Sequence, residues 1–589
     1  QVLEQWPDKA IAFVVVGRPY TAWDPGVNMK VASRILDLGV MAIPQDYLPL
    51  SEANISSDWG FIYSRQIQKK LAAAKIINRD PRLRAIVLSY FGCGPDSFAN
   101  QFLVKVLGNS YFVMNIDEHT GDAHTITRLE AYYDTVRHAK KSKESIVELV
   151  EDPMTNLGNR ILWIPQANES AKALAAAMRA YGVNAQALKR SPDKGLTLAR
   201  EAITEDVCLP SLMTVEDMLW RIHEPDFDAD KEAFFMGNSN GPCRFGMYHA
   251  LMRQILDSLG HQNVKIATLG IKTAHGGLGM KFAVTAWKAL VTNDLLFKMM
   301  LKTRPYEIDK GSAERVLEAY VRRLEIVVQK ERGRLSFGTL ANTDLFEEML
   351  KEATNAFSMI DIKNEDRPLV GVIGEFFVRI HDEANQDLLR TLESLGAETW
   401  LAPGATEFFS YANYIGLVHL REKIAAGAGS IKDWQSRSLK WLNWKLMTKV
   451  EHDLFHACLP FLSGYDDVPS EEIVKLGSRY IHPDFGGEAI CSSGKSVDFC
   501  RRGTVFGIVN VIPFNCLPGN IMEAISEQVR DDEDGIPFIT LVYNGYTESR
   551  RPVILAEFMA QVHERYKCQQ LPDPGLRLVT RIKSKIHNG

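Results

Sequence analysis

Residues 10–17, AIAFVVVG, are followed at residues 27–39 by VNMKVASRILDLG, and this pair of segments decides the fold. A short run rich in β-branched residues is typical of a buried strand, and apolar residues at helical spacing before a glycine are typical of an amphipathic helix. The same order recurs in RILWIPQ (160–166) with ESAKALAAAMRAYG (169–182), and in RPLVGVIG (367–374) with EANQDLLRTLESLG (383–396). These repeated units predict an α/β fold with several doubly wound parallel-sheet (βαβ) lobes, in which ligands bind at the carboxyl ends of strands.

The sequence also contains an internal repeat of residue spacings. Asn28 and Gly39 follow Gly17 at spacings of 11 and 22 residues, and an asparagine and a glycine follow Gly374 at the same spacings. Later in each part a strand pattern ends in a cysteine turn: AIVLSYFGCGPDS (85–97) in the first and FGIVNVIPFNCLPGN (506–520) in the second. Two matched segments in the same order indicate two related lobes.

A chain of 589 residues is too long for one hydrophobic core, so several domains are expected. The predicted divisions are a first α/β lobe (1–150) with the Cys93 turn, a second (151–270) with Cys208 and Cys243, a mainly helical bridge (271–366), and a third α/β lobe (367–589) with the Cys516 turn, related to the first.

Composition narrows the class of protein. The chain is 46% hydrophobic and 24% charged with a net charge of -5, which is ordinary for a globular protein and gives no general case for nucleic-acid binding. No apolar run is long enough to cross a bilayer, and the first residues lack the pattern of a signal peptide. We therefore expect a cytoplasmic protein without a membrane span, and the initial Gln suggests a processed or partial form.

Four of the eight cysteines stand in unusual local settings. Cys93, Cys243 and Cys516 each follow a strand pattern and precede a helix pattern, and Cys208 lies in EDVCLPS. Helix N-termini favour thiolate over thiol, so such cysteines suit an anionic iron–sulfur cluster. The alternative is that all of them are small buried hydrophobic residues, as most cytosolic cysteines are, and their spacing alone does not decide between the two.

Glycines accompany these turns. Gly92, Gly94 and Gly241 lie beside the cysteines, where backbone amides without neighbouring side chains can approach inorganic sulfur. Cys458, Cys491 and Cys500 are assigned structural roles; if they also bind metal, the site holds more iron than one cubane needs. Since the chain has no CxxC pair, a zinc ribbon is not expected.

Several motifs together resemble one family, the large proteins related to 2-hydroxyacyl-CoA dehydratase activases and to the dehydratase and double-cubane-cluster proteins. The resemblance covers most of the chain, and its most specific parts are the FGCG, GPCR and CxPG turns. The motifs are GRPYTAWDPGVN (17–28), SYFGCGPDS (89–97), NIDEHTGDAHTITRLEAY (115–132), VCLPSLMTVEDM (207–218), NGPCRFGMYHALMRQILDSLG (240–260), GEFFVRIHDEAN (374–385) and PFNCLPGNIMEA (513–524).

The resemblance implies an oxygen-sensitive iron–sulfur protein of anaerobes. It places Cys93, Cys208, Cys243 and Cys516 where the family keeps its cysteines, and implies a 4Fe-4S cluster, with an eight-iron double cubane as the alternative. It also implies electrons from an ATP-hydrolysing activase that carries its own cluster, and association with other subunits. No ATPase motif is present in the sequence, which therefore resembles the cluster-bearing part alone.

Three further residues are candidates for supporting the cluster. Asp117 and Glu118 follow the strand pattern YFVMNI, where they either support the cluster loop or cap the next turn. Arg244 directly follows Cys243 and either offsets cluster charge or forms a surface ion pair. Arg18 is expected to contact a substrate phosphate or to anchor its loop, and Arg128 to pair with Asp117 or Glu118.

Three functions follow as hypotheses. The first is a reductase component that passes low-potential electrons to a small molecule that is hard to reduce. The second is a dehydratase-like enzyme that binds an acyl-CoA at an open cluster iron. The third is an electron-transfer or scaffold subunit without catalysis.

Overall fold

The structure is a computed structural model. It describes residues 7, 10–55, 59–60, 62–90, 94–117, 119–138, 154–203, 207–239, 241–269 and 275–570. Its strands, in chain order, are β1 (Ala12–Val16), β2 (Met41–Pro44), β3 (Leu83–Tyr90), β4 (Tyr111–Ile116), β5 (Ile161–Ile164), β6 (Ala185–Ala187), β7 (Glu232–Gly237), β8 (Lys265–Leu269), β9 (Leu369–Gly374), β10 (Glu398–Leu401), β11 (Val505–Pro513) and β12 (Phe538–Tyr543).

Helices lie between most of these strands. They are α1 (Pro19–Trp23), α2 (Val31–Asp37), α3 (Arg65–Arg79), α4 (Gly94–Leu107), α5 (Asp122–His138), α6 (Ser170–Ala180), α7 (Thr197–Ala202), α8 (Leu209–His223), α9 (Tyr248–Ser258), α10 (Gly279–Thr303), α11 (Ser312–Arg334), α12 (Asp344–Ser358), α13 (Phe376–Ile380), α14 (Leu388–Ser394), α15 (Ala405–Ala425), α16 (Ile431–His456), α17 (Ser470–Gly477), α18 (Ala489–Arg502), α19 (Leu517–Asp532) and α20 (Arg551–Gln570).

The predicted α/β fold is confirmed. Three four-stranded parallel sheets have the orders β2-β1-β3-β4, β6-β5-β7-β8 and β10-β9-β11-β12. Strand β1 illustrates why the sequence forms parallel sheets. All five of its residues, AFVVV, are buried, as expected for a central strand covered on both faces. Helix α2 places Val31 and Ile35 in the same core, where they pack with Phe13 and Leu88.

The chain divides into two compact units. The first contains residues 1–152, 197–215 and 236–268, and the second contains residues 153–196, 216–235 and 269–589. The predicted helical bridge, residues 271–366, holds helices α10, α11 and α12 within the second unit. No helix in the described ranges combines the length and hydrophobicity needed to cross a membrane.

The internal repeat of residue spacings corresponds to two sheets with the same topology. In the first sheet Val14 pairs with Ala85, and in the second Gly371 pairs with Ile508. In both sheets the first residue of the pair precedes the glycine that ends its strand pattern by the same number of residues, and the second precedes the cysteine of its turn by the same number. The turn before each second helix repeats as well. Met29 and Lys30 have φ angles of 56° and 55°, and the two residues after Asn385 have φ angles of 56°. L-residues rarely adopt this left-handed conformation, so its repetition supports a common origin of the two sheets.

Candidate functional site in the cysteine turns

The first unit brings two of the predicted cysteine turns against each other. Gly94, which follows Cys93 in the chain, begins α4, and Arg244 follows Cys243. A Cβ atom at position 94 would lie 2.7 Å from Arg244 Cζ and 2.9 Å from its Nε. The guanidinium therefore rests directly on the backbone at Gly94, in the space that any other residue would fill. Arg244 is buried, so its charge is held near both turns.

Cys208 and Cys243 are joined through two aromatic side chains. Cys208 precedes α8, is buried, and its Sγ lies 2.7 Å from the hydroxyl of Tyr248. The Tyr248 ring packs edge-on against Phe245 with centroids 5.5 Å apart, and Phe245 N donates to Cys243 Sγ at 3.5 Å. Both sulfur atoms thus lie within hydrogen-bonding distance of a polar group, and such groups commonly accompany metal-bound sulfur.

A buried charge cluster anchors α4 behind its turn. Asp96 is 2% exposed and forms ion pairs with Lys70 at 3.1 Å and with Arg18 at 3.2 Å. Lys70 is fully buried on α3, whereas Arg18 reaches Asp96 from the loop after β1. Of the two roles expected for Arg18, this contact supports the loop anchor. The cluster fixes where the α4 N-terminus begins, and hence where the residue after Cys93 lies.

The remaining predicted site residues lie outside the described residues, have other contacts than a cluster would need, or have open space beside them. Cys93, Gly92 and Glu118 lie outside the described residues. Asp117 caps its own turn: its carboxylate accepts hydrogen bonds from Thr120 Oγ1 at 2.8 Å and from His119 N at 2.9 Å, and the Thr120 bond is the largest cause that lowers the pKa of Asp117. Arg128 donates to Val113 O at 3.2 Å and is not paired with Asp117 in the described structure. Gly241 has open space where a Cβ would be.

Cys516 belongs to the second unit. It is buried and is the N-cap of α19, directly after β11 and before Pro518 in the first turn. In the matched sheets Cys516 follows Ile508 by eight residues, as Cys93 follows Ala85. The two cysteines therefore hold equivalent chain positions in the two copies of the sheet.

The cysteines assigned structural roles are fully or partly buried. Burial raises the pKa of the Cys458 thiol and of the Cys500 thiol to about 12 each. Burial also raises the pKa of Cys491, and the nearby carboxylates of Glu407 and Glu488 raise it further. A neutral thiol packed as a small hydrophobic group fits these three sites.

The second unit contains a cavity of about 570 Å³ that the sequence reading missed. It opens at the carboxyl end of β10 and is lined by Lys298 of α10, Lys495 of α18 and Asp467 between them. Lys495 Nζ lies 2.7 Å from Asp467 Oδ1, and Lys298 binds the other oxygen of the same carboxylate. The available signal was a lysine inside otherwise apolar helix patterns, as in LLFKMML (295–301).

Two carboxyl groups in this cavity have no ion-pair partner among the described residues. Burial raises the pKa of Glu451 to about 8, with further increases from the charges of Asp467 and Asp294. Burial likewise raises the pKa of Asp294 to about 6, and its carboxylate accepts a hydrogen bond from Thr406. Near neutral pH the cavity therefore offers a mainly protonated Glu451 and a mainly ionised Asp294 beside paired lysines.

The types of side chain around the cysteines of the first unit are compatible with an iron–sulfur cluster. Two thiols with nearby hydrogen-bond donors and a buried guanidinium suit an anionic metal–sulfide group. Within the described residues, however, no group of three or more His, Cys, Asp or Glu side chains is arranged to hold a metal ion. Comparison with family models gives no match. No curated protein matches the sequence at a significant level.

Proposed function

We propose that the chain is the cluster-bearing reductase component of an electron-transfer system. A 4Fe-4S cluster would be held by Cys93, Cys208, Cys243 and Cys516, with an eight-iron double cubane as the alternative. The cluster would supply low-potential, one-electron chemistry when bound. The observation that carries the proposal is the contact of Gly94 with Arg244, because each of these residues directly follows a predicted cysteine ligand.

Further support comes from what surrounds the thiols. A cluster with four thiolate ligands carries net negative charge, and burying that charge is costly unless positive or polar groups compensate it. The Arg244 guanidinium, Phe245 N–H and Tyr248 hydroxyl provide such groups beside Cys208 and Cys243. In this proposal Gly92 and Gly241 admit backbone amides to the cluster, Gly94 leaves room for the Arg244 guanidinium beside it, and Asp117 and Glu118 hold the neighbouring loop.

The electron donor in this proposal is a separate ATP-hydrolysing activase with its own cluster, and the acceptor is a small molecule. The cavity of the second unit supports the acceptor part. Its volume of about 570 Å³ falls within the range of roughly 300–1,000 Å³ that is usual for small-molecule sites. Its lysines and carboxyl groups favour a polar ligand over an apolar one.

The first experiment is anaerobic purification, followed by iron and sulfide analysis and electron spin resonance. We expect about four irons and four sulfides per chain, as one cubane requires. Cys208→Ser and Cys243→Ser should each lower the iron content and change the spectrum. Cys568→Ser, on α20, is the matched control and should change neither. Full iron content in both ligand variants, or zinc in place of iron, would contradict the proposal.

The Cys516→Ser variant separates the reductase from the dehydratase-like alternative. If Cys516 is the fourth ligand, this variant should lose iron as the Cys208 variant does. If the cluster keeps its iron and an acyl-CoA changes its spectrum, one iron has no thiolate ligand, and the chain is then dehydratase-like. The result therefore decides which of the two reactions the chain supports.

A further inference from the structure

Helix α16 carries apolar residues on two opposite sides. One side packs into the second unit through Trp444, Met447, Val450 and Leu454. At 3.6 residues per turn, the residues that point the other way form a second stripe. The outward stripe, which we call the α16 outer face, consists of Ile431, Trp434, Gln435, Ser438, Trp441, Leu442 and Lys445.

The outer face is unusually exposed for its composition. Ile431 is 79% exposed, Leu442 61%, Trp434 52% and Trp441 45%. Single exposed apolar residues are common on protein surfaces, but a contiguous patch that contains two tryptophans marks an interaction site. None of the described residues covers it.

The face is also preformed. Ser430 and Asp433 form a capping box at the start of α16, and Lys423 of α15 binds Asp433 Oδ2 at 2.9 Å. These hydrogen bonds and the cation lower the pKa of Asp433 to about 2, so the contact persists at neutral pH. The guanidinium of Arg437 lies 5.3 Å from the Trp434 ring centroid. A partner would therefore meet an ordered surface, which reduces the entropy cost of association.

We propose that the α16 outer face binds the same face of a second copy of this chain, as an antiparallel helix pair centred on Ser438. A two-fold axis requires a surface that complements itself, and the sequence around Ser438 meets this condition. Trp434 and Leu442 stand four residues to either side of Ser438, so each faces the other across the axis. The small side chain of Ser438 allows the two helices to approach closely.

In this register each polar side chain of the outer face has a hydrogen-bond partner or reaches water. Gln435 and Trp441 stand three residues to either side of Ser438, which pairs an amide with an indole N–H across the axis. Ile431 and Lys445 stand seven residues to either side, so the aliphatic stem of the lysine packs on isoleucine while its ammonium reaches water.

The charges of the face favour a second copy over other occupants. Lys445 is the one cation of the outer face, so an acidic protein would find little charge to pair with there. It also lies between Trp441 and Leu442 around the helix, and a lipid surface would have to accept its ammonium at the centre of the apolar stripe. Trp434 and Trp441 are 52% and 45% exposed, so association can bury about half of the roughly 150–250 Å² of each tryptophan. Four tryptophans then supply roughly 300–500 Å² of a standard interface of roughly 1,600 Å².

Cross-linking tests the register. Ser438 and Ser436 are both exposed serines of α16, but Ser436 points away from the outer face. With a short bis-maleimide under anaerobic conditions, we expect Ser438→Cys to give a covalent dimer joined at position 438. Ser436→Cys and the wild-type chain, which controls for native cysteines, should not give this link. Equal 438 and 436 links, or no 438 link, would overturn the proposal.

Light scattering tests the association itself. The full chain should be a dimer at micromolar concentration, and Leu442→Glu should shift it to monomer by at least tenfold in dissociation constant. Ile326→Glu, at a 57% exposed isoleucine of α11, is the matched control and should remain dimeric. A monomeric wild-type chain would overturn the proposal. Equal loss of the dimer in Leu442→Glu and in the control Ile326→Glu would also overturn it. Binding of the monomer to anionic phosphatidylserine vesicles through Trp434 would assign the face to lipid instead.

Discussion

At the scale of single residues, Arg244 explains one glycine of the cysteine turns and leaves another unexplained. The sequence pattern predicts that Gly94 and Gly241 both admit backbone amides to a cluster. At Gly94 the space beside the backbone is filled by the Arg244 guanidinium, whereas Gly241 has open space. Gly94 therefore brings a positive charge close to a predicted ligand turn, and the role of Gly241 stays a prediction.

Gly94→Ala should destabilise the first unit. Its Cβ would lie 2.7 Å from Arg244 Cζ, and overpacking of a buried contact usually costs about 1–3 kcal/mol. Urea unfolding measures this loss. Gly241→Ala is the matched control and should change stability little, because nothing lies within 4 Å of its Cβ position. In an Arg244→Ala background the cost of Gly94→Ala should largely disappear; an unchanged cost would show that the clash is elsewhere.

Glu451 gives the second unit a pH dependence. Burial raises its pKa to about 8 from an ordinary value of 4.5, so the folded state binds a proton more tightly than the unfolded state. Stability from this group is complete below pH 4.5 and is lost as the pH rises towards 8. Glu451→Gln removes the titration and should gain at least ~2 kcal/mol over wild type between pH 5.5 and pH 8.5, since one pKa unit corresponds to about 1.4 kcal/mol.

Urea unfolding at the two pH values measures this difference. Glu422→Gln on α15 is the matched control, because Glu422 is exposed to solvent. It should leave the pH profile of wild type unchanged. Parallel profiles for Glu451→Gln and wild type would contradict the proposed titration.

At the scale of elements, α3 and α4 are held together by one buried ion pair. Lys70 on α3 is fully buried and lies 3.1 Å from Asp96 on α4, while the adjacent Lys69 forms an ion pair of the same length with Asp46 at the surface. Desolvated pairs become costly when one partner is removed, whereas exposed pairs contribute little. The two neighbouring lysines therefore differ in energy although they are alike in sequence.

Lys70→Met should destabilise the chain by about 3–5 kcal/mol, because it leaves the buried Asp96 to pair with the partly exposed Arg18. Lys69→Met should cost less than about 1 kcal/mol. The comparison is made by urea unfolding of the two variants. Similar costs would mean that water reaches Asp96. The double variant Lys70→Met with Asp96→Leu should recover much of the loss, since it removes both charges.

The elements were more predictable from sequence than their buried partners. Strand β1 and helix α2 are recognisable because their apolar residues are close together and periodic. The ion pair of Lys298 with Asp467 joins residues 169 apart in the chain, and no local pattern connects them. The same limit explains why the sequence indicated the cysteine turns but not the contact between Gly94 and Arg244.

At the scale of the whole molecule, two sheets repeat one design in different units. The order β2-β1-β3-β4 recurs as β10-β9-β11-β12, and the repeat extends to hydrogen bonds. Asn28 Nδ2 donates to Ala22 O at 2.9 Å in the first unit, and Asn385 Nδ2 donates to Val378 O at 2.9 Å in the second. The charged groups around the repeat differ: Arg18 in the first copy corresponds to Glu375 in the second. The scaffold is thus retained while the chemistry at the strand ends has diverged.

The repeated asparagines allow a test of whether the two copies are energetically independent. Asn28→Ala and Asn385→Ala each remove a buried donor and should each cost about 1–2 kcal/mol, because a backbone carbonyl loses its partner. The two side chains share no partner and belong to different compact units, so the double variant should show the sum within about 0.5 kcal/mol. Urea unfolding of both single variants and the double variant measures this, and a larger coupling would mean that the two turns held by these asparagines interact energetically.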